Sequence, residues 1–484
     1  MRINAVINYL GRVVILFSAC LTVPFGFSLL LDDGALHAYD EAIVATLVAG
    51  SALWAATRRA REELRVRDGF LLVALVWTVL PAFAALPLFI YLPAMSFTDA
   101  YFEAVSGLTA SGATVLSGLD QLPPSLNLWR GFMIWLGGMG VIVLALAIMP
   151  LLGVGGSQLY KAETPGPMKD TKLTPRIAET AKGLWLVYFA LTMLCGLAYR
   201  WAGMNWLDAL MHAFTTMGLG GFSTHDASFA YWNSPKIELV AVVFMLIAGV
   251  NFATHFLAWR KLSLQPYRRD PEASVYVLVL VASVVGIALY LRAMGVYADF
   301  WTALRFAAFN VVSIATTTGY ASTDYNLWPI FAPLWMLFLS SFVSCSGSTG
   351  SGVKMVRAQI LFKQSFRELL RIIHPKLYRP VKLSGHAVEN NVVFAVLAYA
   401  FVYISCLSLG TLALTASGLD AVTGLSAAVA SINNMGPGLA RVGPAATYAG
   451  LSDFQTWICT FLMLLGRLEL FTLLVVLTPA FWRK

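Results

Sequence analysis

The chain has 484 residues, of which 58% are hydrophobic and only 12% are charged, and its mean hydropathy is +0.73. Because soluble proteins carry about a quarter charged residues, this composition excludes a soluble globular protein and indicates a polytopic membrane protein. The formal net charge is +8, and most of the basic residues lie in the stretches predicted below to be cytoplasmic. This asymmetry explains the excess, so nucleic acid is not needed as a partner.

Ten apolar runs, each long enough to cross a bilayer as a helix, predict an all-α membrane protein with ten transmembrane helices. The runs begin near residues 11, 39, 70, 129, 183, 237, 273, 329, 391 and 455. If the N-terminus is inside, the stretches on the cytoplasmic side hold 26 of the 33 Lys and Arg residues. The positive-inside rule therefore predicts that both termini are cytoplasmic.

In chain order, two N-terminal transmembrane helices come first and a unit that occurs four times follows. The two helices occupy 1–69, and the predicted pore repeats occupy 70–160, 161–265, 266–375 and 376–484. Each repeat reads as a span, a half-helix of about 10–14 residues that is too short to cross, a polar strip with a glycine, and a longer span.

The four polar strips, called glycine strips below, align on one glycine. They are AVSGLTASGAT (104–114), AFTTMGLGGFS (213–223), VVSIATTTGYA (311–321) and AVASINNMGPG (428–438). The equivalent glycines are Gly112, Gly221, Gly319 and Gly436. A single strip of this kind is usually an ordinary turn. Four strips that each follow a half-helix instead indicate one shared structural role.

Irregular backbone at membrane depth is tolerated only where it is buried in protein or lines water, and four strips satisfy this if they meet around an axis. The half-helices would then aim the negative ends of their dipoles at that axis, which favours a cation. Carbonyl oxygens in the strips could replace its hydration shell, as in potassium-channel filters. The pattern therefore predicts an ion filter built within one chain.

Acidic residues on the outer side give a weaker signal with two interpretations. They are either an acidic vestibule that concentrates cations or ordinary solvated charges and helix caps. They are Asp99, Glu103, Asp120, Asp208, Asp226, Glu238, Asp299, Asp324, Asp420 and Asp453.

The cysteines and histidines form no metal-ligand spacing, so we interpret the five cysteines as reduced apolar side chains and His212 as a packed residue. The GGMG sequence at 137–140 predicts close helix packing.

The last span of the third repeat predicts a break in a helix. WPIFAPLWMLFLSSFV runs into SCSGSTGSGVK, which has three glycines and five serines or threonines between Ser344 and Gly352. Each glycine costs a helix about 1 kcal/mol relative to alanine. The alternative is a kinked helix end packed on its neighbours. A nucleotide-binding loop is excluded, because Val353 stands where that motif requires Lys and no strand precedes it.

Arg467 is the only basic residue deep in the last apolar run. A charge buried in a span is a functional hypothesis by default, and we favour a position facing the pore below the filter, where it repels cations. The alternative is a salt bridge that joins two helices. Glu469 at i+2 does not face Arg467 on a helix.

Together these motifs resemble the TrkH-type potassium uptake proteins of bacteria, in the superfamily that includes Ktr and plant HKT transporters. The resemblance covers essentially the whole chain. Its most specific pieces are the block WLGGMGVIVLALAIMPLLGVGGSQLYKAETPGP (135–167), the glycine strips, SCSGSTGSGVKMVR (344–357) and LLGRLELFTLL (464–474).

The resemblance implies a gated, potassium-selective pore with pseudo-fourfold symmetry. It places ion-coordinating backbone carbonyls at Ser111, Gly112, Gly220, Gly221, Thr318, Gly319, Met435 and Gly436. Glycine at all four aligned positions implies preference for potassium, whereas serine at the first is associated with sodium in plant relatives. Met435 and Pro437 depart from the symmetry, so the side chains there cannot all play one role.

The resemblance also implies an intramembrane gate loop below the filter. The residues implied are Ser346, Gly347, Ser348, Thr349, Gly350 and Gly352, together with Arg467 as the pore arginine.

The family implies several partners. We expect a homodimer in the bacterial inner membrane, resting on separate cytosolic TrkA-type subunits that bind ATP or NAD(H). Residues 155–182 and 354–387 are the predicted docking surfaces, although 354–387 could instead lie on anionic lipid. Potassium is the only ligand expected on this chain, with no covalent cofactor.

Three functions follow from the sequence. The first is a potassium pore gated by a cytosolic regulator, and the second is a potassium symporter coupled to protons or sodium. A symporter would need an ionisable group beside the filter, and only Arg467 and Glu469 qualify. The third, an intramembrane enzyme, would need a nucleophile with a base or a set of metal ligands at depth, and no such cluster occurs. We therefore predict that the chain is not an enzyme.

Overall fold

The computed structural model describes residues 1–59, 64–148, 177–377, 379–383 and 385–483. Two predicted features lie partly outside these residues. Residues 155–176 of one docking surface and 149–167 of the long family motif lie outside the described residues.

The described chain is predominantly helical. As far as Arg269 it contains α1 (Ile3–Leu31), α2 (Leu36–Thr57), α3 (Val66–Ala84), α4 (Leu86–Tyr91), α5 (Phe97–Leu108), α6 (Pro124–Ile148), α7 (Ile177–Ala202), α8 (Trp206–Gly218), α9 (Pro235–Ala248), α10 (Phe252–Lys261) and α11 (Gln265–Arg269). Beyond Arg269 it contains α12 (Ala273–Ala293), α13 (Phe300–Ala315), α14 (Phe331–Ser340), α15 (Met355–Ile373), α16 (Asn390–Ala416), α17 (Ala421–Ile432), α18 (Asp453–Arg467), α19 (Phe471–Leu477) and α20 (Pro479–Trp482).

A short antiparallel hairpin interrupts the helical architecture. Strands β1 (Lys382–Leu383) and β2 (His386–Ala387) pair Leu383 with His386. The all-α prediction is therefore right for the architecture but missed this hairpin, which follows α15.

Five helical segments in the described residues are long and apolar enough to cross a membrane. They are Ile3–Leu31, Val66–Tyr91, Ala181–Ala202, Ala273–Ala293 and Asn390–Ala416. Two sharply bent pairs raise the number to seven if each pair is one span: α9 with α10, bent by 93°, and α18 with α19, bent by 116°. The count of ten spans remains a prediction.

The four predicted half-helices are α5, α8, α13 and α17, which have 12, 13, 16 and 12 residues. Each begins in the same way, because the side chain of its N-cap residue accepts a hydrogen bond from the backbone N–H three residues later. The caps are Ser96, Asn205, Asp299 and Asp420. Capping therefore explains two of the outer acidic residues, Asp299 and Asp420.

The N-terminal helices α1 and α2 pack at very close range through two glycines. A Cβ on Gly11 would lie 2.7 Å from the backbone nitrogen of Trp54, and one on Gly50 would lie 2.8 Å from that of Ile15. Such contact between backbones is typical of helix pairs with small residues at the crossing.

We predict that Gly11→Ala destabilises the protein by about 1–3 kcal/mol, because the added methyl overlaps backbone that cannot rotate away. The measurement is thermal unfolding of the detergent-purified chain. Gly26→Ala on the same helix is the matched control, because a Cβ there meets nothing within 4 Å. Equal melting temperatures for the two variants would contradict the close crossing.

Candidate filter and gate

The four half-helices end in one shared backbone pattern. Two residues before each aligned glycine, a residue adopts positive φ: Ala110, Leu219, Thr317 and Asn434, at 54°, 53°, 63° and 49°. The residue after it donates its N–H to the carbonyl five positions back, at 2.8, 3.0, 2.8 and 2.9 Å for Ser111, Gly220, Thr318 and Met435. Helices commonly end with this hydrogen bond when the residue that follows adopts the left-handed conformation.

The four aligned glycines form a closed ring. A Cβ built on any of them would meet the backbone of the next strip: Gly112 against Gly221 N at 2.1 Å, Gly221 against Gly319 C at 2.7 Å, Gly319 against Met435 O at 2.1 Å and Gly436 against Ser111 O at 2.9 Å. The strips therefore meet around one axis, and no side chain fits at these four positions.

Conformation adds a second requirement at three of the glycines. Gly112, Gly319 and Gly436 have φ of 80°, 91° and 91°, a region that L side chains rarely adopt. The backbone of Gly221 does not adopt positive φ. Glycine is required there because a Cβ would overlap the backbone of Gly319.

The residues predicted to coordinate an ion all lie in this ring. The side chains of Ser111, Thr318 and Met435 are fully buried. The Ser111 hydroxyl lies 2.9 Å from the Thr109 hydroxyl, and the corresponding Thr316–Thr318 distance is 2.8 Å. The Ser111 hydroxyl also accepts a hydrogen bond from the Asn434 side chain of the fourth strip at 2.8 Å, so it joins two strips.

Of the eight backbone carbonyls predicted to coordinate an ion, one accepts a hydrogen bond. The Gly436 oxygen accepts a hydrogen bond from the Tyr448 hydroxyl at 2.9 Å. Among the described residues, no hydrogen bond ends on the carbonyl oxygens of the other seven. Buried carbonyls need a partner, so these seven oxygens are available to a ligand at the axis.

Polar side chains in the middle of the half-helices hold the strips in place. Glu103, Asn310 and Ser426 each accept a hydrogen bond from the N–H of the residue three positions after the aligned glycine, at 3.0, 3.3 and 2.8 Å. In the second repeat, His212 lies 3.0 Å from the Ser223 hydroxyl instead. His212 is fully buried and packs against the rings of Phe229 and Trp232.

Sequence reasoning named Glu103 and His212 but missed that they brace the strips, and it did not single out Asn310 or Ser426. A signal was present, because Glu103 and His212 occupy the same column of the first two repeats and both are ionisable.

A buried ion pair lies between the first half-helix and the second strip. The Nε of Arg130 donates to Glu103 at 2.9 Å, and both side chains are fully buried. The same guanidinium donates to the Ser223 carbonyl at 3.1 Å and lies 4.3 Å from the centre of the Phe222 ring. Arg130 therefore connects the half-helix of repeat one to the strip of repeat two.

The outer acidic residues are not all solvated charges. Glu103, Asp208 and Glu238 are buried, and Glu238 pairs with Arg305 at 2.6 Å. The interpretation of these three as ordinary loop charges was wrong, because each serves a buried contact.

A smaller acidic group forms around His225, which lines a cavity beside the glycine ring. His225 contacts both Asp120 and Asp208, and Asp226 accepts a hydrogen bond from the Gly118 N–H at 2.9 Å. Partial burial alone lowers the pKa of His225, but the hydrogen bonds and charges of Asp208 and Asp120 outweigh it and raise that pKa overall. A protonated His225 therefore offsets part of the negative charge above the ring.

The predicted helix break in the third repeat is confirmed. Helix α14 ends at Ser340, and α15 begins at Met355 after an irregular loop, 341–354. The loop lies directly against the inner ends of two strips. The Thr349 hydroxyl donates to the Met217 carbonyl at 2.9 Å, and the Ser351 N–H donates to the Thr317 hydroxyl at 3.0 Å.

The predicted gate residues lie within this loop, and several of them anchor it. The Gly347 carbonyl accepts a hydrogen bond from the Phe252 N–H at 3.0 Å, and the Ser346 N–H donates to Glu272 at 2.7 Å. The Ser348 hydroxyl donates a hydrogen bond to the Cys345 carbonyl at 2.6 Å. Gly347 and Gly352 have φ of 71° and 85°.

Gly350 is required for space, because a Cβ there would lie 2.4 Å from the Ser344 hydroxyl. The Gly350 carbonyl accepts a hydrogen bond from the buried Lys354 ammonium, a residue that the sequence reasoning did not single out.

Arg467 contacts the loop as well. Its guanidinium donates to the carbonyls of Thr349 at 3.0 Å and Gly137 at 2.8 Å, and the side chain is only 3% exposed. Glu469 instead pairs with Arg357 at 2.7 Å. Within the described chain Arg467 has no acidic partner, so the alternative of a simple salt bridge between helices is not supported.

The chain does not continue as one straight helix beyond Arg467. Helix α18 ends there, Glu469 and Leu470 have φ of 52° and 56°, and α19 leaves at 116°. The apolar run in the sequence gave no sign of this bend.

The GGMG prediction of close packing is confirmed. A Cβ on Gly137 would lie 1.9 Å from the Leu108 carbonyl, at the end of the first half-helix. Gly466 approaches the Ile432 carbonyl of the fourth half-helix at the same distance.

Residues 37–484 match the family model TrkH, described as a cation transport protein. The chain belongs to the TrkH family. It is 46% identical to the Trk system potassium uptake protein TrkH of Halomonas elongata and 44% identical to that of Escherichia coli, over the full length of each pair. Its fold matches the crystal structure of the potassium transporter TrkH from Vibrio parahaemolyticus with a TM-score of 0.91, at 41% identity and full coverage of both chains.

Membership of the TrkH family confirms the resemblance that the sequence motifs indicated. It also confirms that the chain is not an enzyme, because the family consists of transport proteins.

We predict that Arg130→Met destabilises this TrkH-family chain by about 3–5 kcal/mol, because it leaves the Glu103 carboxylate buried without its partner. The double variant Glu103→Gln/Arg130→Met should regain part of that loss, because the isolated charge is removed. Thermal unfolding in detergent measures both, with exposed Arg292→Met as the control. A double variant no more stable than Arg130→Met would contradict the ion pair.

Proposed function

We propose that the chain takes up potassium across the bacterial inner membrane through a selective, gated pore. The observation that carries the proposal is the closed ring of four glycines, with seven backbone carbonyls that accept no hydrogen bond from the described residues. Relatives at 44–46% identity are named potassium uptake proteins, which supports the choice of ion.

The electrostatics of the ring favour a monovalent cation. All four half-helices end at the strips, so each presents the negative end of its dipole, about half an elementary charge, to the axis. Carbonyl oxygens compensate a dehydrated potassium ion without placing a full charge in the pore. Potassium would then bind at Ser111, Gly112, Gly220, Gly221, Thr318, Gly319, Met435 and Gly436.

The proposed transmembrane arrangement is the one with ten spans, two of them N-terminal, and four pseudo-symmetric repeats around the pore. The shared backbone pattern of the strips supports the fourfold relation. Both termini would be cytoplasmic, as the distribution of basic residues predicts.

The 341–354 loop and Arg467 would form the gate. The loop contacts strips two and three from below, and the Arg467 guanidinium is bonded to it. A fixed positive charge on the ion pathway opposes the passage of cations, so conduction requires the loop and Arg467 to move away.

The regulator proposed is a separate TrkA-type cytosolic subunit that binds ATP or NAD(H), with the chain itself acting as a homodimer. Helix α15 follows the gate loop directly and exposes Phe362, Leu369 and Ile372 together with basic side chains. This surface, within 354–387, is where a regulator would act on the gate.

A coupled symporter is the second candidate, and one observation favours it. Buried ionisable groups lie beside the gate loop: Glu272 accepts a hydrogen bond from Ser346, and Lys354 donates to Gly350. Reversal potentials in liposomes distinguish the two, because a pore follows the potassium gradient alone whereas a symporter also shifts with the proton or sodium gradient.

We predict that Gly319→Ser loses the preference for potassium over sodium, because its side chain cannot fit beside the Met435 carbonyl and its φ of 91° is strained for serine. The measurement is potassium flux into liposomes with sodium as competitor. Gly295→Ser is the matched control, because Gly295 has φ of 73° but nothing within 4 Å of a Cβ. A selective Gly319→Ser variant would refute the filter assignment.

We predict that Arg467→Gln raises potassium flux in the absence of the regulator by about tenfold or more, because removing a buried charge from the pathway lowers the barrier by more than 1.4 kcal/mol. Arg292→Gln, which removes an exposed arginine on α12, should leave flux unchanged. If both variants conduct like the wild type, Arg467 does not face the ion pathway.

A further inference from the structure

An apolar cavity of about 740 Å³ lies at the bend between α9 and α10, apart from the glycine ring and the gate loop. Helix α7 forms one wall, and α10 with the segment that follows it forms the other. Residues on the two sides include Val187, Leu191, Ala258 and Trp259. Its volume falls within the range of about 300–1,000 Å³ typical of ligand pockets.

The rim of this cavity exposes large apolar side chains. Leu262 is 88% exposed, Leu264 73% and Trp259 53%. Apolar side chains gathered in this way on a membrane protein face lipid, and tryptophan is enriched where acyl chains meet headgroups.

Basic residues flank the rim residues in the sequence. Arg260, Lys261, Arg268 and Arg269 are all exposed and lie within ten residues of one another. The acidic residues that follow do not neutralise this patch from the surface, because Asp270 and Glu272 are buried and accept hydrogen bonds from Thr254 and Ser346.

We propose that this cavity is a binding site for an anionic phospholipid. An acyl chain occupies the apolar cavity, and the lipid phosphate lies against Lys261, Arg268 and Arg269. A neutral lipid satisfies only the apolar half of the site, whereas an anionic headgroup also complements the basic rim. The segment 260–269 is on the predicted cytoplasmic side, where anionic lipid attracts basic residues.

The site is joined to the gate loop through α10. The first residue of that helix, Phe252, donates to the Gly347 carbonyl, and the Gly249 carbonyl at the bend accepts from the Cys345 N–H at 3.1 Å. His255, which lines the cavity, bonds the Ile247 carbonyl at 2.9 Å and the Tyr267 hydroxyl at 2.7 Å. A lipid that packs against α10 therefore stabilises the bend that holds the loop.

Native mass spectrometry of the delipidated full-length chain tests the site, with phosphatidylglycerol and phosphatidylcholine added separately. Wild type should retain phosphatidylglycerol in preference to phosphatidylcholine. Each basic residue near an anionic headgroup contributes about fivefold in affinity, so Lys261→Gln/Arg268→Gln/Arg269→Gln should weaken phosphatidylglycerol binding on the order of 100-fold. Arg58→Gln/Arg59→Gln, at another exposed basic stretch, should not.

A second pair of variants tests the cavity itself. Ala190→Trp fills it from α7 and should reduce retention of both lipids, whereas Ala282→Trp, exposed on α12 and outside the cavity, should not.

Three results would overturn the proposal. The first is equal retention of the two lipids by wild type, and the second is unchanged phosphatidylglycerol binding by the triple variant. The third is efficient disulfide formation between chains carrying Trp259→Cys, because a second copy would then cover the cavity. The lipid readout needs no ion flux, so its failure is distinct from failure of the proposed potassium pathway.

Discussion

The contact of four backbone strips at one ring is the constraint on which the rest of the structure depends. Each strip must turn sharply after its half-helix, satisfy its N–H groups locally and approach the next strip more closely than any side chain allows. The left-handed residue, the hydrogen bond five positions back and the glycine meet these three demands in every repeat. What remains are seven carbonyls that accept no hydrogen bond from the described residues, and backbone of that kind at membrane depth is stable only with protein, water or an ion to receive it.

The repeats share this backbone geometry but differ in the side chains that maintain it. Glutamate, histidine, asparagine and serine brace the four strips in turn. The inner ends also differ. Glycines of α6 and α18 cover the carbonyls of Leu108 and Ile432, whereas the equivalent carbonyl, Met217, accepts a hydrogen bond from Thr349. The 341–354 loop thus covers the inner end of the second strip with a hydrogen bond, whereas glycines of two helices cover the first and fourth strips.

The sequence was most informative where a position tolerates one residue type only. Gly319 and Gly436 could be aligned because nothing but glycine fits the ring, and the run from Ser344 to Gly352 predicted a broken helix because of its glycines. Contacts between distant segments could not be predicted in this way. Nothing in the local sequence pairs Arg130 with Glu103 or Arg357 with Glu469, because a charge in an apolar run has several possible partners until the helices are packed. The bend after Arg467 was missed for a different reason, since the residues that adopt positive φ there are Glu469 and Leu470, which are neither glycine nor asparagine.

In the proposed gate, the position of Arg467 would tie conduction to a small displacement of the loop. Its guanidinium is held by neutral carbonyls from α6 and the gate loop, and not by an acidic residue of the described chain, so its positive charge is oriented but not cancelled. In a low-dielectric interior such a charge acts strongly on a nearby cation. The Thr349 carbonyl that holds Arg467 belongs to the residue whose hydroxyl bonds Met217. In the proposed gate, displacement of that one residue would remove one of the hydrogen bonds that hold the arginine and would uncover the inner end of the second strip at the same time, which would couple the electrostatic barrier to the steric one.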